Sequence, residues 1–297
     1  MSAQKTIKRL VAFIIIANLV IIIFVFLGGN SSTPSNPLPN PNGYDDFVKA
    51  GQLLSGTDGV SNKISQQDLR AIITKNANAL TLVRQGLTKQ CRVPNDYSKD
   101  YGSKRIPEWG LLKQLGLALA AEGQLAELEH RTNDAATIYL DTIRFGQEFS
   151  RDGIIIVKLT GSAVEALGLT PLTRLADNLN APECRQIAKT LEEIDNHEPP
   201  IEENLKQEKL WAAKAFGLSD RIEAIVQFKE QKRLKQAFTQ RQQANQLRRR
   251  QVMLTFASRA YELDKGKPPQ TISDLVPDYL KAIPQDPFTR TNMVIQP

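Results

Sequence analysis

A chain of 297 residues, 41% apolar and 24% charged, is long enough for a sizeable core and ordinary enough in composition to be globular. Its formal charge is +6, but Lys5, Lys8 and Arg9 precede a hydrophobic run and the rest of the chain is only about +3, which argues against nucleic acid as a partner. Aromatic residues are sparse at 6% and the apolar weight falls on Leu, Ile and Ala, which favours helices over a β-sandwich.

The first element is the uncharged stretch Leu10 to Leu27. As a helix rising about 1.5 Å per residue it measures roughly 27 Å, close to a hydrocarbon core of about 30 Å. Asn18 is its single polar side chain and reads as tolerated. Lys5, Lys8 and Arg9 flank it on one side, and no Lys or Arg follows until Lys49. The positive-inside rule then places residues 1–9 in the cytoplasm and the body outside. A cleaved signal peptide is the competing reading. The run is long for one, and Phe26-Leu27-Gly28-Gly29 is a poor cleavage site. The expectation is a single-pass anchor at 10–27 in the cytoplasmic membrane. Residues 28–43, rich in Pro, Asn, Ser and Gly, read as a flexible linker.

From residue 44 the patterning is helical, and 44–217 is expected to be a helical domain. Ser65 and Asp68 resemble a capping box ahead of Leu69, Ile72, Ile73, Leu80, Val83 and Leu87, spaced near 3.6 residues. Pro107 is expected to open the next helix, with Leu111, Leu112, Leu115, Ala118, Leu119 and Leu125 inward. A turn near His130 to Asn133 separates it from a helix over Asp134 to Ser150, ended by Gly153. Ile154 to Leu169 reads as a buried helix, with a strand over Ile154 to Val157 as the alternative, and Pro171 should kink or break it. Pro182 opens a helix with Ile187, Leu191 and Ile194 inward, and Pro199-Pro200 separates it from one over Glu202 to Phe216.

Asp220 to Leu263 holds neither Pro nor Gly and is expected to be one long helix, within a basic segment at 218–265. Its cations are Lys229, Lys232, Arg233, Lys235, Arg241, Arg248, Arg249 and Arg250. They read either as a solvated face or as a surface for an anionic partner. Residues 266–297 are a Pro-rich tail in which Thr271 or Ser273 caps a short helix, and Tyr279, Leu280, Ile283 and Phe288 pack back on the preceding helix.

Cys91 and Cys184 face an oxidising compartment if the body lies outside the cytoplasm, so a disulfide between them is one reading and two separate buried thiols the other. His130 and His197 lack ligand-spaced partners. Asp274, Asp278 and Asp286 lack the spacing of a calcium loop and read as caps and turns. No phosphate loop, nucleophile elbow or catalytic triad order occurs. No catalytic, cofactor or metal residue is therefore assigned.

Three resemblances follow from these residues. Ala120 to Gln147, with Gly123, Asp134-Ala135-Ala136, Tyr139 and Ile143, resembles one tetratricopeptide (TPR) unit. Tyr261 with Gly266-Lys267-Pro268-Pro269, then Leu275-Val276-Pro277-Asp278-Tyr279-Leu280 and Asp286-Pro287-Phe288, resembles the tail of type II secretion major pseudopilins. That likeness covers about residues 251–290, and nothing around Leu10 supplies a prepilin peptidase site. Most of residues 65–290, including Cys91-Arg92-Val93-Pro94 with Asp96-Tyr97 and Leu191 to Glu208, resembles a set of uncharacterised bacterial membrane-anchored helical proteins that carry the same tail.

The expected architecture is mainly α: a transmembrane helix, a partly TPR-like extracytoplasmic body and a short irregular tail. The expected role is a non-enzymatic, membrane-tethered helical interaction or scaffold protein whose partner is another envelope protein. The alternative is an accessory component of a secretion or pilus-like apparatus. An envelope hydrolase would rest on placement alone.

Overall fold

Asn42 fixes the point where the linker becomes body. Its side chain accepts from the backbone of Tyr44 (3.3 Å) and so caps α1 (Gly43–Leu53). It also exchanges two bonds with the backbone of Arg92, at 2.9 and 3.0 Å. The computed structural model describes residues 37–56, 64–215 and 228–295, with backbone alone at 228–231. The expected anchor at 10–27 and residues 28–36 of the linker lie outside the described residues.

The capping reading holds at α2 (Gln66–Lys75): Ser65 Oγ accepts from Asp68 N at 3.1 Å and donates to its carboxylate at 2.6 Å. The single helix expected from Ser65 to Leu87 is instead split at Asn76 into α2 and α3 (Ala77–Leu87). The cause is long-range. Asn76 is 1% exposed, and its amide pairs with both backbone groups of Ser55, at 2.8 and 3.0 Å.

The next helix, α4 (Tyr101–Leu128), starts six residues before Pro107. Tertiary packing overrides the proline here. Tyr101 is buried edge-on against Trp109, and its hydroxyl donates to Asn95 at 3.0 Å, so the first turns are held to the body. His130, at φ 58°, turns the chain into α5 (Thr132–Glu148). Asp152, also at φ 58°, then leads into α6 (Ile155–Thr173). Ile155 to Val157 are thus helical, not a strand, and Pro171 sits in the last turn that α6 makes.

Helix α6 is, among the described residues, long and apolar enough to cross a membrane, but half of it is buried inside the body, as for a core helix. It runs against α5 at backbone distance. A Cβ on Gly146 would meet the Gly161 carbonyl at 2.6 Å, and one on Gly168 would meet that of Tyr139 at 2.5 Å.

Asn180 and Glu183 form the capping box that starts α7 (Ala181–Asn196), with Pro182 in its first turn. Helix α8 (Ile201–Ala215) follows, then the long α9 (Phe228–Lys265). Among the described residues there is helix and one isolated bridge, Gln285 to Asn292, but no strand.

Two apolar cores share the α5–α6 pair. One joins Tyr44 and Phe47 of α1, Leu80 and Val83 of α3, Leu112 and Leu119 of α4, Phe145 and Phe149 at the end of α5 and Val164 of α6. The other joins Tyr139 and Ile143 of α5, Leu169 and Leu172 of α6, Ile187 and Leu191 of α7, Phe256 and Ala260 of α9 and the tail. From Leu38 onward the chain is one compact unit.

The tail belongs to that second core. Thr271 and Asp274 form a capping box on a 3₁₀ turn, Ile272–Leu275, and Leu275, Tyr279 and Leu280 are buried. Glu192 of α7 accepts from Lys281 N at 2.9 and 3.0 Å and from Ala282 N at 3.1 Å. Phe288 departs from expectation and is 48% exposed. Asp286 accepts from the backbones of Phe288 (2.7 Å) and Thr289 (3.1 Å), and this turn carries the ring outward.

Candidate functional site on the long basic helix

Helix α9 divides in two. Residues 232 to 237 are all exposed, and Phe238 is the first described side chain to be buried. Lys232, Arg233 and Lys235 stand on this stretch with Leu234, which is 67% exposed, and Arg241 is exposed one turn further on. The side chain of Lys229 lies outside the described residues.

Of the other three cations expected on a surface, Arg249 is buried and Arg250 half-buried, which corrects that reading for them, while Arg248 stays exposed. Arg248 donates to Thr170 Oγ1 of α6 at 2.8 Å. Arg249 is 1% exposed. It donates to Glu165 of α6 at 2.8 Å, to Asp195 of α7 at 2.9 and 3.0 Å, and to Glu198 just beyond α7. Arg250 reaches the other oxygen of Asp195 at 2.7 Å and the carbonyl of Gln285. Lys158, also buried, completes the cluster at 2.8 Å from Glu198 and 3.6 Å from Glu165. Three cations thus face three carboxylates across α6, α7 and α9.

Electrostatics follow from that sealing. Burial pushes the Glu198 carboxyl up, but Lys158 and Arg249 outweigh it and hold it down at about 2. Burial holds Glu165 above its ordinary value, against the pull of Lys158 and Arg249. Burial also works against the Arg249 charge, and Glu198, Glu165 and Asp195 more than reverse it. The carboxylates are spent on the arginine and lysine. None of them lines either the cleft of about 530 Å³ beside Cys91 or the groove of about 610 Å³ between α4, α5 and α6. The arrangement clamps helices; it does not present a free acid or base.

Cys91 and Cys184 are not brought together. Cys91 belongs to the first core and lies 3.6 Å from the Gly86 carbonyl, while Cys184 belongs to the second and lies 3.7 Å from that of Ala176. Both are free thiols. Burial raises Cys91 to about 12 and Cys184 to about 11. Asp274 and Asp286 serve as cap and turn, accepting from Thr271 N at 2.9 Å and Phe288 N at 2.7 Å, and Asp278 is exposed. Among the described residues no group of three or more His, Cys, Asp and Glu is placed to hold a metal ion.

No protein-family model, no curated protein and no solved structure matches the chain.

Proposed function

We propose that this chain is a membrane-tethered helical scaffold that presents the basic, exposed half of α9 to an acidic face of another envelope protein. The observation that carries the reading is the division of α9. Its C-terminal half is clamped by Arg249 into the body, while Lys232, Lys235 and Arg241 stand exposed around Leu234. An isolated stretch of helix is marginal in water, so helix with no buried face gains from a covering partner. The rigid half sets where the exposed half points.

Anchoring through residues 10–27, with the body outside the cytoplasm, belongs to the same proposal and rests on the charge asymmetry around that run. The TPR-like reading draws support from the turn at His130 between α4 and α5 and from Gly123, whose Cβ would overlap the Tyr139 ring. The runner-up, an accessory role in a secretion or pilus-like apparatus, rests on the tail resemblance; the Tyr261 and Tyr279 rings of that motif lie 5.5 Å apart.

A photo-crosslinking residue at position 235, in intact cells, tests the main reading. Adducts with one envelope protein that vanish when Lys232→Glu and Arg241→Glu are added to the same chain are expected. Absence of adducts, or adducts indifferent to charge reversal, overturns it. A C-terminal reporter active only inside the cell overturns the topology, and stable secretion-machinery adducts favour the runner-up.

A further inference from the structure

A second feature lies away from α9. The end of α3, the loop through Arg92, the C-terminal half of α5 and that of α7 enclose a cleft of about 530 Å³, within the range that holds small organic ligands. Leu87 and Ile194 supply apolar wall, and Lys89, Arg92, Arg144 and Arg151 supply charge. Three of these cations are already answered. Lys89 pairs with Asp46 at 2.5 Å and Arg92 with Asp152 at 2.9 Å. Arg151 grips Glu148 with two nitrogens, at 2.6 and 2.9 Å.

Arg144 is different. Among the described residues no carboxylate lies within 4.0 Å of it, and its hydrogen bond is a long one, from Nη2 to the Leu87 carbonyl at 3.4 Å. Of the acids nearest it along α5, Glu148 is engaged by Arg151, and Asp141 is bonded to Arg84 at 3.4 Å while also feeling the Arg144 charge. Glu193 on the cleft rim is exposed. His197 donates from Nδ1 to the Glu193 carbonyl at 2.7 Å. A half-buried guanidinium with most of its planar donor fork unused matches a carboxylate or phosphate group in geometry and charge.

We propose that this cleft is a binding site for a small organic oxyanion, whose charged group pairs with Arg144 and whose apolar part lies on Leu87 and Ile194. The site stands apart from the exposed half of α9 and does not depend on the role proposed there.

The test is calorimetric titration of the detergent-solubilised full chain at low ionic strength with phenyl phosphate, benzoate and inorganic phosphate. Saturable binding of phenyl phosphate or benzoate at about millimolar Kd or tighter is expected, and which of the two binds tells a phosphate ester from a carboxylate. Inorganic phosphate should bind about tenfold more weakly, since it has no apolar part. Arg144→Gln should weaken the aromatic probe at least about tenfold, Arg144→Lys should fall between, and Arg241→Gln should leave binding unchanged. Absence of saturable binding by either aromatic probe overturns the proposal. So does equal affinity in Arg144→Gln, or equal loss in Arg241→Gln. An unchanged thermal midpoint in Arg144→Lys separates lost binding from lost folding.

Discussion

Arg249 of α9 and Glu165 of α6 meet at 2.8 Å with no more than 2% of either side chain exposed. Removing two charges from water costs several kcal/mol each, and only close geometry with further hydrogen bonds offsets it. Here Asp195 and Glu198 complete the arginine's partners. Removing the cation leaves Glu165 only Lys158 at 3.6 Å and takes one buried partner from each of Asp195 and Glu198, which keep Arg250 and Lys158. Arg249→Met should therefore cost about 3–5 kcal/mol in urea unfolding. Glu165→Gln, which keeps an acceptor toward Arg249, should cost less than half of that. A near-neutral Arg249→Met would mean the cluster is not a clamp.

Acid should loosen the same cluster. Glu198 is held at about 2 in the folded protein, against about 4.3 in an unfolded chain. A depressed carboxyl contributes fully above the unfolded value and is lost as pH falls through the folded one, so stability should decline between about pH 5 and pH 2. The contribution is on the order of 3 kcal/mol. Glu165 acts with the opposite sign: raised by burial, it binds its proton more readily when folded, and acidification relieves part of the loss. Denaturant midpoints measured across that window should show a shallower acid slope in Glu198→Gln than in the parent.

The α5–α6 contact tolerates almost no added volume. A methyl on Gly146 runs into the Gly161 carbonyl at 2.6 Å and into Glu165 N at 2.8 Å, both of them backbone atoms. Gly146→Ala should cost about 1–3 kcal/mol by overpacking, even though alanine is the better helix former. Gly110, whose Cβ would meet nothing within 4 Å, is the control. Gly110→Ala should be neutral or stabilising by up to about 1 kcal/mol. Thermal melts of the two variants distinguish packing from helix propensity.

The two cysteines should behave as separate, inert thiols. Both are buried with their thiols pushed up, Cys91 to about 12 and Cys184 to about 11, and the thiolate is the reactive form. Alkylation of the native protein without reductant should leave both unmodified, and alkylation after denaturation should label both. Labelling that appears only after reduction would establish the disulfide that the structure does not form.

Local signals carried well from sequence to structure. Ser65 with Asp68 and Thr271 with Asp274 formed their caps, because a cap is decided within four residues. The apolar faces of α5 and α7 were legible as 3.6-residue spacing. Apart from Phe288, which the local Asp286 turn carries outward, what failed depends on a distant partner. Arg249 looked like one more cation of a solvated stretch, since the carboxylates that bury it lie 84, 54 and 51 positions away in sequence. Asn76 looked like mid-helix until Ser55 supplied its partner. Pro107 looked like a start because the Tyr101–Trp109 contact that holds the preceding turns is invisible to propensity. The cleft around Arg144 had no linear signature, because four separate segments build it.

Every buried member of the first core lies between Tyr44 and Val164, whereas the second extends from Ala126 to Met293. During synthesis the first core can close once Val164 has emerged, but the second must wait for Met293. A message truncated before Leu275 would leave α7 and α9 without the residues that seal them and Glu192 without the backbone amides it holds. Residues 275–293 thus decide whether the second core closes, and a protease would meet an open apolar face in any product that lacks them.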